Sequence, residues 1–130
     1  MTTATIKATL ETALNNITPA LATAWENASY TPVEGTPYQR VWFLFAQPDN
    51  WHVGQRFRQN GYMQVSLFYP LGNGAKDALA RAELIRSTFK AGMILSGVSI
   101  SATPEIRGGE IDGDRYVLNV FVRFSEFVTV

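Results

Sequence analysis

The stretch from Gly61 to Gly92 constrains the fold most, because its hydrophobic periodicity changes within a few residues. Residues 62–69 place apolar side chains at every second position, which predicts a β-strand with one apolar face. That face carries Met63, Val65, Leu67 and Tyr69. Residues 75–91 instead repeat apolar side chains every three or four positions, which predicts a helix that ends at Gly92. A strand, a glycine-rich turn and a helix therefore follow one another.

Three segments before this unit predict further secondary structure. Residues 4–16 place apolar side chains on one side of a helix, with Thr2 or Thr3 as its N-cap. Residues 19–25 predict a further short turn of helix, with a proline at its first position. Residues 38–46 are dense in aromatic and β-branched side chains, which predicts a central strand buried on much of both faces.

The dipeptide Asn60-Gly61 is the strongest short signal for a β-hairpin in the chain. We therefore predict that residues 55–59 pair across this turn with the strand that follows. In such a hairpin Arg56 and Arg58 lie on one face, so two cations project together near a turn.

The segments after the central helix complete the predicted sheet. Residues 98–103 predict a half-exposed strand that ends at Pro104, residues 105–114 a turn-rich excursion, and residues 115–126 the last strand. The predicted fold class is α+β, with residues 1–130 forming a single domain. A mixed, mostly antiparallel sheet of about five strands is packed by the N-terminal and central helices, in the order α-β-β-β-α-β-β.

The composition excludes several classes of function. The chain carries 11 basic and 11 acidic side chains, so its net charge of zero provides no bulk attraction to nucleic acid or an anionic membrane. Cysteine is absent, which excludes disulfides, thiol nucleophiles and zinc-thiolate sites and agrees with a reducing cytoplasm. No signal peptide is predicted, and no stretch reaches the roughly 18 apolar residues of a membrane span. We therefore expect no membrane partner.

Two motifs that could carry chemistry are incomplete. Gly72 and Gly74 precede a helix, as in phosphate-binding loops, but Asp77 stands where a dinucleotide fingerprint needs a third glycine. His52 is the only histidine and has no recognisable catalytic partner, so it is better interpreted as a surface or packing residue. The sequence therefore predicts no catalytic residue, no cofactor and no metal site.

Two clusters of charge are candidate interaction residues. The basic cluster is Arg40, Arg56 and Arg58, and the acidic cluster is Glu110, Asp112 and Asp114. The basic cluster predicts a surface for phosphate backbone or an acidic partner, or alternatively a charged sheet face that prevents edge pairing. The acidic cluster has the alternating spacing of a calcium loop but lacks its closing glutamate, so a solvated hairpin is the better interpretation. The many large aromatic residues predict a core and leave room for a buried subunit interface.

Several short motifs carry a resemblance to a known family. Residues 24–27 read Ala-Trp-Glu-Asn, and Pro37-Tyr38 opens a strand. Residues 61–74 read Gly-x-x-Gln-Val-x-Leu-Phe-Tyr-Pro-x-Gly-x-Gly and lead into an alanine-rich helix that ends with Phe89. With the N-terminal helix, and in this order, they resemble the small tail terminator, or tail completion, proteins of long-tailed bacteriophages. The resemblance covers nearly the whole chain.

The resemblance implies a structural virion protein of a phage or prophage, without catalytic residues or cofactors, assembled in the cytoplasm of the host bacterium. Such proteins form a ring, commonly a hexamer, that caps the head-proximal end of the tail tube and stops its polymerisation. The ring also presents a surface to the head connector or neck protein. DNA passes through its lumen without sequence-specific binding.

A ring of identical subunits needs complementary patches on different parts of one subunit. The basic cluster and the acidic cluster are opposite in charge, so they predict a contact between neighbouring copies. Two other functions stay open. One is another neck or tail adaptor protein of a phage, and the other is a small-molecule-binding domain of a non-viral protein that uses the aromatic sheet as a pocket.

Overall fold

The computed structural model describes residues 2–50, 56–72 and 74–129, with side chains for all of these except residues 56 and 127–129. Two helices, α1 (Thr3–Asn15) and α2 (Lys76–Thr88), accompany the strands. The strands are β1 (Ala22–Ala24), β2 (Tyr38–Phe45), β3 (Arg56–Pro70), β4 (Ile94–Leu95), β5 (Val98–Ile100), β6 (Glu105–Asp112) and β7 (Arg115–Thr129).

These strands form one sheet in the order β1-β2-β3-β7-β5-β4. Strand β6 pairs with the first half of β7, on the same edge that β5 uses further along. Strands β1 and β2 are parallel, and the other pairs in the described part of the chain are antiparallel. The predicted α+β class and the mixed, mostly antiparallel sheet are therefore confirmed, with seven strands in place of about five.

Strands β3 and β7 form the centre of the sheet. Each is 15 residues long, and they pair along their whole length, from Arg56 opposite Thr129 to Pro70 opposite Arg115. At about 3.3 Å per residue, this two-stranded ribbon is about 50 Å long. All other strands are added to its two edges, so the ribbon sets the length of the subunit.

One face of the sheet is covered by both helices, and we call it the helix-covered face. Its alternating side chains are buried along the middle of β3 and β7, as the alternation of residues 62–69 predicted, and Tyr69 and Tyr116 at one end are partly buried. The β-strand contribution to this core includes Val41, Met63, Val65, Leu67, Leu118, Val120 and Val122. The helices contribute Ile6, Leu10, Leu14, Ala78, Ala82, Ile85 and Phe89. Helix and strand periodicities therefore meet in a single hydrophobic core.

The ends of the helices follow local chemistry. Thr2 is the N-cap of α1, and its side chain accepts a hydrogen bond of 3.3 Å from the Thr5 amide. Helix α2 ends at Thr88, three residues before its predicted end. Phe89 leaves helical geometry at φ −111° and ψ 66°, and its ring is completely buried. Burial of this large ring therefore decides where the helix ends, ahead of the glycine signal at Gly92.

The hairpin predicted at Asn60-Gly61 is wrong, because both residues lie inside the continuous strand β3. There Gly61 pairs with Phe45 on one side and with Phe124 on the other. A Cβ at this position would overlap the carbonyl oxygen of Leu44 and lie 2.9 Å from the Phe124 ring. The glycine is therefore required by close packing of neighbouring strands rather than by a turn.

Two further predictions need correction. Residues 22–24, expected within a turn of helix, form β1 and pair in parallel with β2, because pairing with an existing strand satisfies backbone groups that a short isolated helix leaves open. The strand predicted over residues 98–103 is shorter. It is the second strand of the small β4–β5 hairpin, whose turn contains Gly97 at φ +92°.

Candidate assembly surfaces

The predicted basic cluster does not form one patch among the described side chains. Arg58 lies on β3, and its Nε donates a hydrogen bond of 2.7 Å to Ser125 Oγ on β7. Arg40 lies on β2, half-buried, opposite Ser66 of β3. Arg56 opens β3, and its side chain lies outside the described residues, as do Trp51 and His52. Because Arg40 and Arg58 are far apart along the sheet, a shared basic surface is not formed by these two.

The predicted acidic cluster does come together. Glu110 and Asp112 lie on β6, and Asp114 lies in the turn that joins β6 to β7. All three side chains are exposed, so the expected solvated hairpin is confirmed. Within one copy, Asp112 lies opposite Arg115 in the register of β6 and β7, whereas Arg58 lies opposite Phe127 at the other end of β7. Arg58 and the acidic cluster are therefore about 40 Å apart along the strand direction.

The face opposite the helices, which we call the outer face, carries a network of polar side chains. Trp42 Nε1 donates to Gln64 Oε1 at 3.0 Å, and Ser66 Oγ lies 2.6 Å from Asn119 Oδ1. Gln64 Nε2 also donates to Asn119 Oδ1 at 3.4 Å. These residues line a shallow groove of about 400 Å³ that also contains Glu110 and Asp112. The polar groups satisfy one another, which favours a structural role for the network.

Arginine side chains cover the aromatic rings of the outer face. The Arg107 guanidinium lies 4.7 Å from the centre of the Phe121 ring, and that of Arg115 lies 5.1 Å from the Tyr38 ring. Arg115 also donates to the carbonyl oxygens of Val33 and Thr36. These arginines therefore shield the rings from water, Arg107 from the exposed surface and Arg115 as a buried side chain that is only 6% exposed.

Glu105 links two of the surface cations. Its carboxylate accepts hydrogen bonds from Arg107 Nε at 2.6 Å and from Arg123 Nη2 at 3.4 Å. The hydrogen bond from Arg107 lowers the pKa of Glu105, and Arg123 contributes in the same direction. The carboxylate therefore stays ionised, and the three side chains form a charged cluster on β6 and β7.

A groove with a buried cation lies between α2 and the segment before β1. Arg81 is only 5% exposed and donates to the carbonyl oxygen of Pro19. Among the described residues, its Nε has no hydrogen-bond acceptor. Burial lowers the pKa of Arg81, and burial also raises the pKa of the neighbouring Tyr69, partly offset by the Arg81 cation. The groove, about 410 Å³, is lined mostly by apolar atoms.

The buried position of Arg81 was not predicted from the sequence, where this residue falls on the polar side of the helix. Its spacing of three residues after Ala78 and four before Ile85 is the signal that could have identified it. Both of those neighbours are buried in the core.

Exposed apolar side chains lie on the two lateral sides of the sheet. On the side of β1 and β2, which we call the β2 flank, Leu44 and Phe45 are 51% and 36% exposed. On the side of β4 and β6, the β6 flank, Ile94 and Ile111 are 67% and 71% exposed. Large exposed apolar residues on an edge are typical of surfaces that bind another protein. Sequence periodicity did not identify these residues, because edge position depends on strand order.

The described part of the chain contains no cluster of three or more His, Cys, Asp or Glu side chains that could hold a metal ion. Neither α1 nor α2 is long and apolar enough to cross a membrane. The chemistry present is that of side chains that pack, stack and pair at the surface. The exposed apolar side chains of the two flanks are candidate surfaces for binding another protein.

Comparison with known proteins identifies the family. The family model for the phage tail terminator protein matches residues 5–124. The chain therefore belongs to the phage tail terminator family, and it is a structural protein of a phage tail. One solved structure has a TM-score of 0.74 over 97% of this chain and 96% of the other, with 22% sequence identity. At that identity the likeness supports the fold alone. A search of curated proteins finds no significant match.

Proposed function

We propose that this protein forms a ring that caps the head-proximal end of the tail tube, stops polymerisation of the tube protein and provides the surface for head-tail joining. The observation that carries this proposal is the family match over residues 5–124, which includes both helices and almost the whole sheet. A protein that acts by capping needs surfaces rather than a reaction centre, and the described residues offer such surfaces on both flanks.

The two flanks support a closed ring because they differ from each other. A ring forms when a patch on one subunit binds a different patch on the next and the rotation closes. The β6 flank presents single protruding side chains, whereas the β2 flank presents a groove and an aromatic edge. Identical surfaces on both sides would instead favour a two-fold dimer. A hexamer is the state implied by the family resemblance.

The proposed partners are the tail tube protein, the head connector or neck protein, and the DNA that passes through the lumen. The net charge of zero suits a lumen that neither grips nor strongly repels moving DNA. No sequence-specific DNA contact is proposed, and no membrane partner is proposed.

The test is a tube-growth experiment with purified tail tube protein. Adding this protein in increasing amounts should shorten the tubes and place a ring at one end of each, as measured by negative-stain electron microscopy. Tubes of unchanged length would contradict the capping function. If the protein instead bound the connector without affecting tube growth, a neck or tail adaptor would be the correct function.

The charge contact predicted from the sequence stays a prediction. It would join Arg40, Arg56 and Arg58 of one copy to Glu110, Asp112 and Asp114 of the next. Because Arg58 lies at the opposite end of the β3–β7 ribbon from the acidic cluster, a contact through Arg58 would place the copies end to end along the strands. Reversing Arg56 and Arg58 to Glu would abolish ring assembly under this arrangement, and intact rings would exclude it.

A further inference from the structure

The β6 flank carries a protruding apolar side chain, Ile111, which is 71% exposed. It lies opposite Tyr116 of β7, and Tyr116 lies opposite Tyr69 of β3. Backbone alternation places Ile111 on the same side of the sheet as these two residues, which is the helix-covered side. Ile111 thus extends beyond the edge of the sheet next to the start of α2, where it lines a small cleft with Leu71.

The β2 flank carries an apolar groove at the same level of the sheet. Tyr69 forms part of its wall, together with residues before β1 and β2 and along α2. Its apolar lining includes Pro19, Leu21, Pro37, Ala80 and Leu84. The groove extends from the segment before β1 to Tyr69 of β3, so across the sheet it lies between about 10 and 20 Å from Ile111 on β6, at about 4.8 Å per strand.

A second pair of exposed apolar features lies further along the strands. Ile94 on the β6 flank is in register with Ser125 of β7 through Ser99. On the β2 flank, Phe45 is in register with Gly61 of β3. Its ring packs edge-on against Phe124, with 5.7 Å between ring centres, and the adjacent Leu44 is half-exposed.

The spacing of these features matches between the two flanks. On the β6 flank, Ile111 and Ile94 are in register with positions nine residues apart on β7, Tyr116 and Ser125. On the β2 flank, the groove and Phe45 correspond to positions eight residues apart on β3, Tyr69 and Gly61. The two separations are about 30 Å and about 26 Å at about 3.3 Å per residue, a difference of one residue along a strand. One flank can therefore meet the other at both levels at once.

We propose that the β6 flank of one copy docks side by side against the β2 flank of the next copy. Ile111 enters the groove lined by Leu21 and Leu84, and Ile94 packs on Leu44 and Phe45. This inference rests on the proposed ring, for which it supplies the subunit interface. The contact is head-to-tail, since each copy uses one flank for each neighbour.

The charges near Ile111 and in the groove also favour the hairpin of a neighbouring copy as the occupant of the groove. Ile111 is flanked by Glu110 and Asp112, and the groove contains the buried Arg81 cation. Asp77 also lines the groove, one helical turn before Arg81, and its charge opposes the approach of an acidic segment. Arg81 is already desolvated and its Nε has no hydrogen-bond acceptor among the described residues, so a negative group of the acidic hairpin would give this cation a partner.

This side-by-side contact excludes the end-to-end charge contact for the same hairpin. The acidic cluster cannot reach the groove of one neighbour and Arg58 of that neighbour together, because those sites are about 40 Å apart along the strands. The exposed apolar area on both flanks favours the side-by-side arrangement. Disulfide crosslinking between copies separates the two arrangements.

Paired cysteines test the contact directly, because the chain has no native cysteine to interfere. The variant carries Ile111→Cys and Leu84→Cys, and it is oxidised at a concentration at which the wild-type protein forms rings. We expect a ladder of disulfide-linked species that ends in a closed ring on a non-reducing gel. Each single variant should remain unlinked, since residue 111 would then face residue 84 without a second thiol.

In a matched control, the first cysteine is placed at another exposed apolar residue, and residue 111 stays isoleucine. Val33 is 62% exposed and lies in the loop whose carbonyl groups bind Arg115, and it lines neither the groove nor the cleft next to Ile111. The pair Val33→Cys and Leu84→Cys should give no ladder. A ladder from this control, links between two copies of residue 111, or no ladder where rings are present would each overturn the proposed contact.

Mixing two glutamine variants tests whether the contact is head-to-tail. Ile111→Gln damages the β6 flank, and Leu84→Gln damages the β2 flank. Each variant alone should need a protein concentration about tenfold or more above that of the wild type for half-assembly. A mixture of both should form dimers through the one intact interface and no rings, whereas Val33→Gln should assemble normally. Rings from the mixture, or normal assembly of Ile111→Gln, would contradict the inference.

Failure of the interface and failure of the function give different results. If light scattering and imaging detect rings, alone or on tube ends, while residues 111 and 84 do not crosslink, the ring stands and this interface is wrong. If no ring forms in either condition and tube growth continues, the proposed function itself is wrong, and the interface fails with it.

Discussion

The two faces of the sheet are buried by different chemistry. On the helix-covered face, apolar side chains from α1, α2, β3 and β7 pack together in one cluster. On the outer face, rings and amides are covered by arginine heads and by their own hydrogen bonds, such as the one from Trp42 to Gln64. The first face depends on filled volume, and the second depends on the direction of polar contacts.

The largest effect is expected from removing volume on the helix-covered face. Leu10→Ala should lower the free energy of unfolding by about 3 kcal/mol, because Leu10 is completely buried and its loss leaves a cavity. Urea denaturation followed by circular dichroism measures this change. Leu10→Met, which keeps the volume, should cost less than about 1.5 kcal/mol. Equal losses in both variants would contradict the dependence on volume.

A smaller loss of stability is expected from adding a methyl group to the helix-covered face at a position that has no room for it. Gly61→Ala should lower the free energy of unfolding by about 2 kcal/mol, since the new methyl group would overlap the Leu44 carbonyl and press on the Phe124 ring. A methyl group added at Gly108 would enter open space, so Gly108→Ala is the matched control. The comparison uses thermal and urea unfolding of both variants. A neutral Gly61→Ala would contradict close packing of the neighbouring strands as the reason for this glycine.

The outer face should respond to lost hydrogen bonds rather than to lost volume. Asn119→Ala should cost about 1 to 2 kcal/mol, because Ser66, only 2% exposed, loses the partner of its hydroxyl group. Asn119→Leu keeps the volume and should cost at least as much. If Asn119→Leu instead stabilised the protein in urea, the outer face would be held by apolar burial like the other face.

The smallest effect concerns the exposed charges of the outer face. The hydrogen bond from Arg107 lowers the pKa of Glu105, so this pairing contributes stability above the carboxyl's unfolded pKa and loses it as the pH falls through the folded pKa. Glu105→Gln should therefore flatten the acidic part of the curve of melting temperature against pH. Arg107→Gln should flatten it in the same way. An unchanged curve in both variants would mean that the pair adds nothing to stability.

Local sequence was sufficient to predict the fold class and most elements of the core. Two periods indicated which side chains meet: the alternation of residues 62–69 and the three- and four-residue spacing of α2. Both periods follow from backbone geometry. The acidic cluster was also predicted as a solvated hairpin, since turn residues surround it.

The errors arose where a local signal competed with pairing to distant strands. Asn60-Gly61 has the chemistry of a turn, but β2 and β7 both pair with that segment and keep it extended. Residues 22–24 have no strong local preference, and they become a strand because β2 offers a free edge. The predicted basic cluster combined Arg56 and Arg58, expected near that turn, with Arg40 on the preceding strand, and in the extended β3 Arg40 and Arg58 lie apart.

The sequence by itself determined the two periodicities, the N-cap of α1, the absence of thiol chemistry and the family of this protein. The tertiary structure alone decided which strands lie on the edges, and so which apolar residues remain exposed. Ile111 and Val120 are both aliphatic residues in strands, yet one is mostly exposed and the other fully buried. The physical reason is that burial depends on strand order across the sheet, whereas the sequence encodes only the order along the chain.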